Sequence, residues 1–185
     1  MIILGIDEAG RGPLSGPVVA AGVILNPFDS IVGLNDSKKL TAKKRENLYK
    51  EIVSRAICYA IVEISPEIID KINILQATLL AMKTVADNLQ GKFDKVLVDG
   101  SKLPNWNYVS EAIVKGDSKV IEISAASILA KVHRDRICLE HDILYPEYGF
   151  AQHKGYPTKL HIEKIEKYGV LDIHRKSYKP IKKMI

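Results

Sequence analysis

Residues 1–17 read MIILGIDEAGRGPLSGP, a short apolar run that stops at two adjacent carboxylates and a glycine–arginine–glycine turn. Ile2, Ile3, Leu4 and Ile6 are β-branched or large and apolar, and a Gly-rich turn bounds them, which is the pattern of a buried strand rather than a helix. Asp7 and Glu8 fall at its carboxyl end. Successive side chains on a strand point to opposite faces, so the two acids are expected to share a site only if the backbone leaves the strand at Glu8. Gly10 and Gly12 permit that departure: glycine admits positive φ and lets backbone N–H groups approach a ligand, while Arg11 supplies a cation. The turn is a candidate phosphate cradle. An isolated Asp at a strand end is more often a turn residue, and Gly-x-Gly alone is weak evidence of phosphate binding. The combination of apolar strand, Asp-Glu and Gly-Arg-Gly-Pro is much less common and favours a functional reading.

The chain has 185 residues, 46% of them hydrophobic, enough for one well-buried core, and a single domain over residues 1–185 is expected. Its 27 Lys and Arg against 22 Asp and Glu leave a net charge of +5, which tilts the balance towards a polyanionic partner. Cys58 and Cys138 lie far apart in apolar surroundings without metal-ligand spacing and read as reduced core residues. The longest apolar run, Val18 to Leu25, falls well short of the roughly 20 residues a membrane helix needs, and no charged-then-apolar leader precedes it. A soluble, cytoplasmic protein without a membrane partner is expected.

Further along, PVVAAGVIL at 17–25 is a second apolar run, expected to pair antiparallel with the first, and Ala20, Ala21 and Gly22 leave room for a neighbouring element. NDSKKL at 35–40 is a polar turn leading into a helix that Thr41 caps and that runs to about Arg55. Lys38, Lys39, Lys43 and Lys44 crowd its start, where cations oppose the macrodipole; a nearby phosphate backbone or a solvated lysine face fits equally well. Residues 57–64 form a third strand. Ser65-Pro66-Glu67 opens a helix, Asn73 caps a longer one, and Leu75, Leu79, Met82, Ala86 and Leu89 are its core-facing stripe. VLVDG at 96–100 closes a fourth strand, so Asp99 repeats the position of Asp7, and strand ends commonly bring distant residues together.

Residues 105–108 form a polar-aromatic loop, and KGDS at 115–118 is a turn with Asp117 between two lysines. Residues 122 to about 144 read as a long helix whose small residues let it pack close to a sheet. Ser124, Ser127, Lys131 and Arg134 recur along it at spacings of three and four as one polar stripe, facing either the carboxylates or solvent. Residues 146–155 read as loop, Thr158 starts a helix to Tyr168, and 174–183 is a basic tail.

Four acids, Asp7, Glu8, Asp99 and Asp117, therefore flank glycine-rich or strand-end backbone. Clustered without a cation, they raise one another's pKa by repulsion, and a hard divalent metal is the natural remedy. Carboxylate oxygens and water suit Mg²⁺ or Mn²⁺, whereas Zn²⁺ favours histidine or cysteine. Two such ions about 3.5–4 Å apart activate a water and stabilise the leaving oxygen of an in-line phosphodiester displacement.

DEAGRGPLSGP, NDSKKL, VDG, KGDS, ISAASILAKVHRD and HKGYPTKLH span residues 7 to 161, and in order and character they resemble bacterial-type ribonuclease HII, the type 2 ribonuclease H. The resemblance implies an α/β, ribonuclease H-like fold, a mixed central sheet flanked by helices, with a short helical C-terminal region over about 146–185 that contacts substrate. It implies Asp7, Glu8, Asp99 and Asp117 as catalytic, metal-binding acids for two Mg²⁺ or Mn²⁺ ions. It also implies a monomer that cuts the RNA strand of RNA·DNA hybrids and incises 5′ of ribonucleotides embedded in duplex DNA, leaving 3′-hydroxyl and 5′-phosphate ends. The backbone of Gly10, Arg11 and Gly12 would contact the 2′-OH and phosphates, and Tyr156 would stack on the sugar that follows the ribonucleotide. Lys38, Lys39, Ser127, Lys131 and Arg134 would bind substrate phosphates or orient the acids. A longer C-terminal helix found in some relatives, and the extra N-terminal domain of ribonuclease HIII, are expected to be absent. A hybrid-binding module without catalysis, or another nuclease or transposase of the same fold class, remain alternatives that substrate comparison and Asp7→Asn separate.

Overall fold

A computed structural model describes all 185 residues, Met1 to Ile185. The β-branched runs pair into one five-stranded sheet, ordered β3-β2-β1-β4-β5, from β1 (Ile3–Ala9), β2 (Val18–Ile24), β3 (Cys58–Ile64), β4 (Lys95–Asp99) and β5 (Ser110–Ile113). β1 runs antiparallel to β2, as expected, and parallel to β4, and β4 is parallel to β5. The mixed sheet follows from the connections. The short 10–17 turn forces a hairpin, whereas the helical crossover from β3 to β4 returns the chain in β1's direction.

Even-numbered β1 residues Leu4 and Ile6 pack with Ala77, Ala81 and Val85 of α2 (Pro66–Asn88). On the opposite face, Val19, Ala21 and Val23 pack with Leu48 and Ile52 of α1 (Ala42–Arg55) and with Ala125 and Leu129 of α3 (Ile121–Leu144). Both helices come very close to the sheet at glycines. A Cβ on Gly22 would lie 2.4 Å from Val85 Cγ1, and one on Gly5 2.3 Å from the Glu122 carbonyl carbon. Small residues, as read from the sequence, set that approach.

Local signals held at the helix starts. Thr41 Oγ1 accepts from the Lys44 N–H, Pro66 occupies the first turn, and Asn73 breaks the helical φ/ψ of α2 while its side chain caps Gln76. Thr158 likewise caps α5 (Lys159–Tyr168). The 146–155 segment is not all loop, because Phe150–His153 forms a single helical turn, α4, too short to show periodicity. β5 was hidden for the same reason: four residues carry no alternation that a sequence can display. The tail closes with α6 (Lys179–Lys182), and Leu14, Tyr148, Phe150, Ile165 and Ile181 form a separate small core. Cys138 is buried, whereas Cys58 is only partly so; both are free thiols. No helix is long and apolar enough to cross a membrane.

Candidate active site

Three of the acids reach one rim because three parallel strands end there. Ile6 lies opposite Val98, so Asp7 and Asp99 follow side by side at the ends of β1 and β4. Asp99 lies opposite Ile113 of β5, and the chain then turns at once into a 3₁₀ turn, Gly116–Ser118, that carries Asp117. Asp99 Oδ1 accepts from the Gly116 N–H at 2.6 Å and holds that turn against β4, while Ser124 of α3 donates to the Asp117 carbonyl. The carboxyl ends of parallel strands are the general ligand-binding edge of open α/β sheets.

Glu8 arrives by another route. β1 does not leave the sheet at Glu8 but continues to Ala9, with Glu8 opposite Ala20 of β2. Strand alternation therefore holds, and Glu8 faces α2 beside Thr78, Leu79 and Met82. Asp7, two residues beyond Gly5, is on the α3 face. The two acids still share a hollow because pairing with β4 stops at Ile6. Beyond that point one edge of β1 is open, and side chains from both faces reach round it.

That hollow, of about 400 Å³, is lined by Asp7, Glu8, Asp99 and Asp117 together with Gly10, Arg11 and Gly12. Ser37, Lys38, Ser127, Lys131 and Tyr156 form its remaining walls. Asp7 is only 5% exposed. Burial first, and then the charges of Glu8, Asp99 and Asp117, push its carboxyl well above the usual range, although its Oδ1 accepts from the Glu8 N–H at 2.7 Å. Burial also raises Glu8, against the pull of the Arg11 guanidinium 3.9 Å away. Asp117 is raised by burial, then by Asp36 and Asp99, with Lys38 opposing.

The donor set suits a hard divalent cation. It consists of carboxylates, and Glu8 Oε2 is buried without any hydrogen-bond partner, a costly state that a cation relieves. No three His, Cys, Asp or Glu side chains stand close enough together to hold an ion in this arrangement.

The other residues singled out from the sequence divide into two groups. Lys38 and Lys131 line the hollow, and Lys131 Nζ is 2.8 Å from Asp135 Oδ1. Ser127 reaches Ser37 across the hollow, Oγ to Oγ 2.8 Å, tying α3 to the NDSKKL turn. Tyr156 stands at the mouth, 43% exposed. Lys39 does not line the hollow and is exposed. Arg134 does not line it either: it is buried, with Nη2 donating to the Ser15 and Lys154 carbonyls at 2.8 and 3.2 Å. The periodicity of α3 was right, but the stripe runs from the hollow at Ser127 into the protein at Arg134.

Sequence reading passed over Asp36 and Ser37, although both sit in the NDSKKL block that drew attention for its lysines. Asp36 caps the Ser37–Lys39 turn through the Lys38 N–H and adds its charge beside Asp117. It also passed over Arg175, fully buried behind the glycine turn and signalled only as one more cation in a basic tail.

Comparison with known proteins follows the same lines. A family model described as Ribonuclease HII matches residues 4–181. A protein named Ribonuclease HII from Francisella tularensis subsp. novicida is 76% identical over 185 residues, 100% of both chains. The crystal structure of ribonuclease H2 from Pyrococcus horikoshii OT3 is similar with a TM-score of 0.83 and 28% identity, covering 100% of this chain and 97% of that one. A structure of Bst-RNase HIII in complex with Mn²⁺ has a TM-score of 0.75 and 16% identity over 100% of this chain and 69% of that one, a likeness of fold alone.

Proposed function

The chain belongs to the ribonuclease HII family and is a ribonuclease H that hydrolyses the RNA strand of RNA·DNA hybrids; from that premise we propose that it also incises duplex DNA on the 5′ side of a single embedded ribonucleotide. The observation that carries this reading is one hollow lined both by Asp7, Glu8, Asp99 and Asp117 and by the Gly10-Arg11-Gly12 turn and Tyr156. Acids alone provide for phosphodiester hydrolysis. A glycine turn within reach of the same phosphate provides a test for one 2′-hydroxyl, the group that distinguishes RNA from DNA.

Asp7, Glu8, Asp99 and Asp117 would hold two Mg²⁺ or Mn²⁺ ions, which when bound supply an activated water and charge stabilisation at the leaving oxygen. The chain's own residues supply the rest. The Arg11 and Gly12 N–H groups orient the ribonucleotide, Lys38 and Lys131 receive phosphate oxygens, and Tyr156 offers a ring face to the following sugar. Asp36 and Lys38, on opposite sides of the charge balance at Asp117, tune that carboxylate.

A duplex with one internal ribonucleotide tests the reading. Nicking 5′ of it with Mg²⁺ or Mn²⁺, absent in chelator and leaving 3′-hydroxyl and 5′-phosphate ends, is the expected result. A cyclic phosphate product, or cleavage of uniform hybrids without any incision at the single ribonucleotide, overturns it.

A further inference from the structure

Behind the glycine turn, on the side away from the acids, the turn's carbonyls are gathered by buried cations. Arg175 is 0% exposed and has no carboxylate partner. Its Nη2 donates to the Gly10 carbonyl at 2.6 Å, Nη1 to the Arg11 carbonyl at 3.0 Å and Nε to the Gly16 carbonyl at 2.9 Å. The Tyr178 hydroxyl, which accepts from Nη1 at 3.0 Å, donates to the same Arg11 carbonyl at 2.5 Å. Within a trans peptide plane the C=O and the next residue's N–H point in opposite directions. Drawing back the Gly10 and Arg11 carbonyls therefore turns the Arg11 and Gly12 N–H groups forward, towards the hollow that both residues line. Neither N–H is taken by a main-chain carbonyl.

The bracket that holds Arg175 is itself firm. The Gly16 N–H donates to the Ile173 carbonyl and the Arg175 N–H to the Leu14 carbonyl, both at 2.8 Å, so the tail runs antiparallel to the far end of the turn. One step further, the Asp70 carboxylate of α2 accepts from the Lys176 and Ser177 N–H groups at 3.0 and 2.9 Å. Burial draws Arg175 down only to about 10, so it stays a cation at neutral pH and adds positive potential behind the forward-facing amides. The planar guanidinium reaches the three carbonyls from three different nitrogens held in a fixed fork, whereas an ammonium's donors all radiate from one atom.

We propose that Arg175, seconded by Tyr178, is the positioning residue that aims the Arg11 and Gly12 amides at the substrate, so that discrimination of ribonucleotide from deoxyribonucleotide depends on the C-terminal segment. The proposal rests on the reading that this turn contacts the 2′-OH. The test is the affinity ratio between two duplexes differing by one 2′-OH, measured by fluorescence anisotropy in chelator, where no cleavage competes. Arg175→Met is expected to shrink that ratio about tenfold and Tyr178→Phe about two- to threefold, as loss of several or of one hydrogen bond implies. Arg175→Lys is expected to fall between the parent and Arg175→Met. In turnover assays the same variants raise KM more than they lower kcat.

Tyr178→Phe removes only a hydroxyl, so it carries the test even if Arg175→Met does not fold. An unchanged ratio in Tyr178→Phe, and in Arg175→Met where that variant folds, overturns the positioning role. Gly10→Ala separates this from the underlying reading, because φ there is +87° and a Cβ would lie 2.5 Å from Arg134 Nε, so it distorts the turn directly. If Gly10→Ala also leaves the ratio unchanged, the turn does not read the 2′-OH. If it shrinks the ratio while the Arg175 and Tyr178 variants do not, only the positioning role fails.

Discussion

The acid hollow and the imidazole cluster beneath the Tyr156 loop both gather titratable side chains, and they solve the problem of burial in opposite ways. In the cluster, His153 Nδ1 accepts from the Gly155 N–H at 3.0 Å, so the proton lies on Nε2, which donates to the Tyr148 carbonyl at 2.8 Å. His174 Nδ1 accepts from the Leu171 N–H at 2.8 Å, so its Nε2–H donates to His161 Nε2 at 3.1 Å. The His161 proton must then sit on Nδ1, which is 3.0 Å from both the Gly155 and the Tyr156 carbonyls. Three neutral rings, two of them stacked 4.0 Å apart, satisfy every ring nitrogen.

A neutral imidazole carries one donor and one acceptor, and so such rings can complete one another. Carboxylates are acceptors only, and four of them cannot. The unsatisfied cluster is therefore the one suited to receive a cation, whereas the satisfied one braces the loop that carries Tyr156.

The sharpest way to break the contrast is Asp7→Asn. It is expected to lower cleavage of an RNA·DNA hybrid by on the order of 10³-fold, the several kcal/mol a bound ion contributes, while hybrid binding survives. Activity within tenfold of the parent would remove Asp7 from the chemistry.

The second test uses pH. Burial, reinforced by the neighbouring imidazoles, lowers His161 to about 4 and His174 to about 3 from 6.5. The folded state therefore resists protonation that the unfolded chain accepts. The stability is fully present above 6.5 and is lost as pH falls from there towards about 4. For His161 alone this is worth about 3 kcal/mol over the full window. Urea unfolding at pH 7 and pH 4.5 should show the loss, and His174→Gln, which keeps a donor towards His161 but does not titrate, should flatten the slope.

Asp7 carries the opposite sign. Its folded carboxyl is raised above 3.8, so its contribution to stability weakens as pH rises out of the acid range. At pH 7 without metal, Asp7→Asn should therefore be more stable than the parent by about 1–2 kcal/mol, as removal of a buried like charge implies. Adding Mg²⁺ or Mn²⁺ should raise the Tm of the parent more than that of the variant. An equal or lower Tm for the metal-free variant would mean that the hollow stores no repulsion.

The smallest effect is expected from Ser127→Ala, which leaves Ser37 without its partner across the hollow. A loss of about 1 kcal/mol in stability and a modest rise in KM with unchanged kcat are expected, since the bond anchors the turn that carries Lys38.

Much of this was readable beforehand where the controlling interactions are local. Alternating and β-branched runs located β1 to β4, and Thr41, Pro66, Asn73 and Thr158 marked their helices because a cap acts within three residues of itself. β5 and α4, four residues each, fell below the length at which a period exists. Asp7 and Asp99 stood out because each ends an apolar run beside glycine or another acid, and the fold brings both to one hollow. Lys39 and Arg134 were given substrate roles by the family resemblance, and for Arg134 also by its helical spacing; spacing fixes a face of a helix, not what that face meets along its length, and Arg134 meets the Ser15 and Lys154 carbonyls.

Sequence alone therefore marks the longer strands and helices and the acids that stand at their ends, since both depend on residues a few positions apart. Only the tertiary structure decides that Glu8 reaches the Asp7 hollow from the opposite face of β1, or that a guanidinium 165 residues away donates to the Gly10 carbonyl. Both follow from strand order and from where pairing stops, and neither leaves a local trace in the chain.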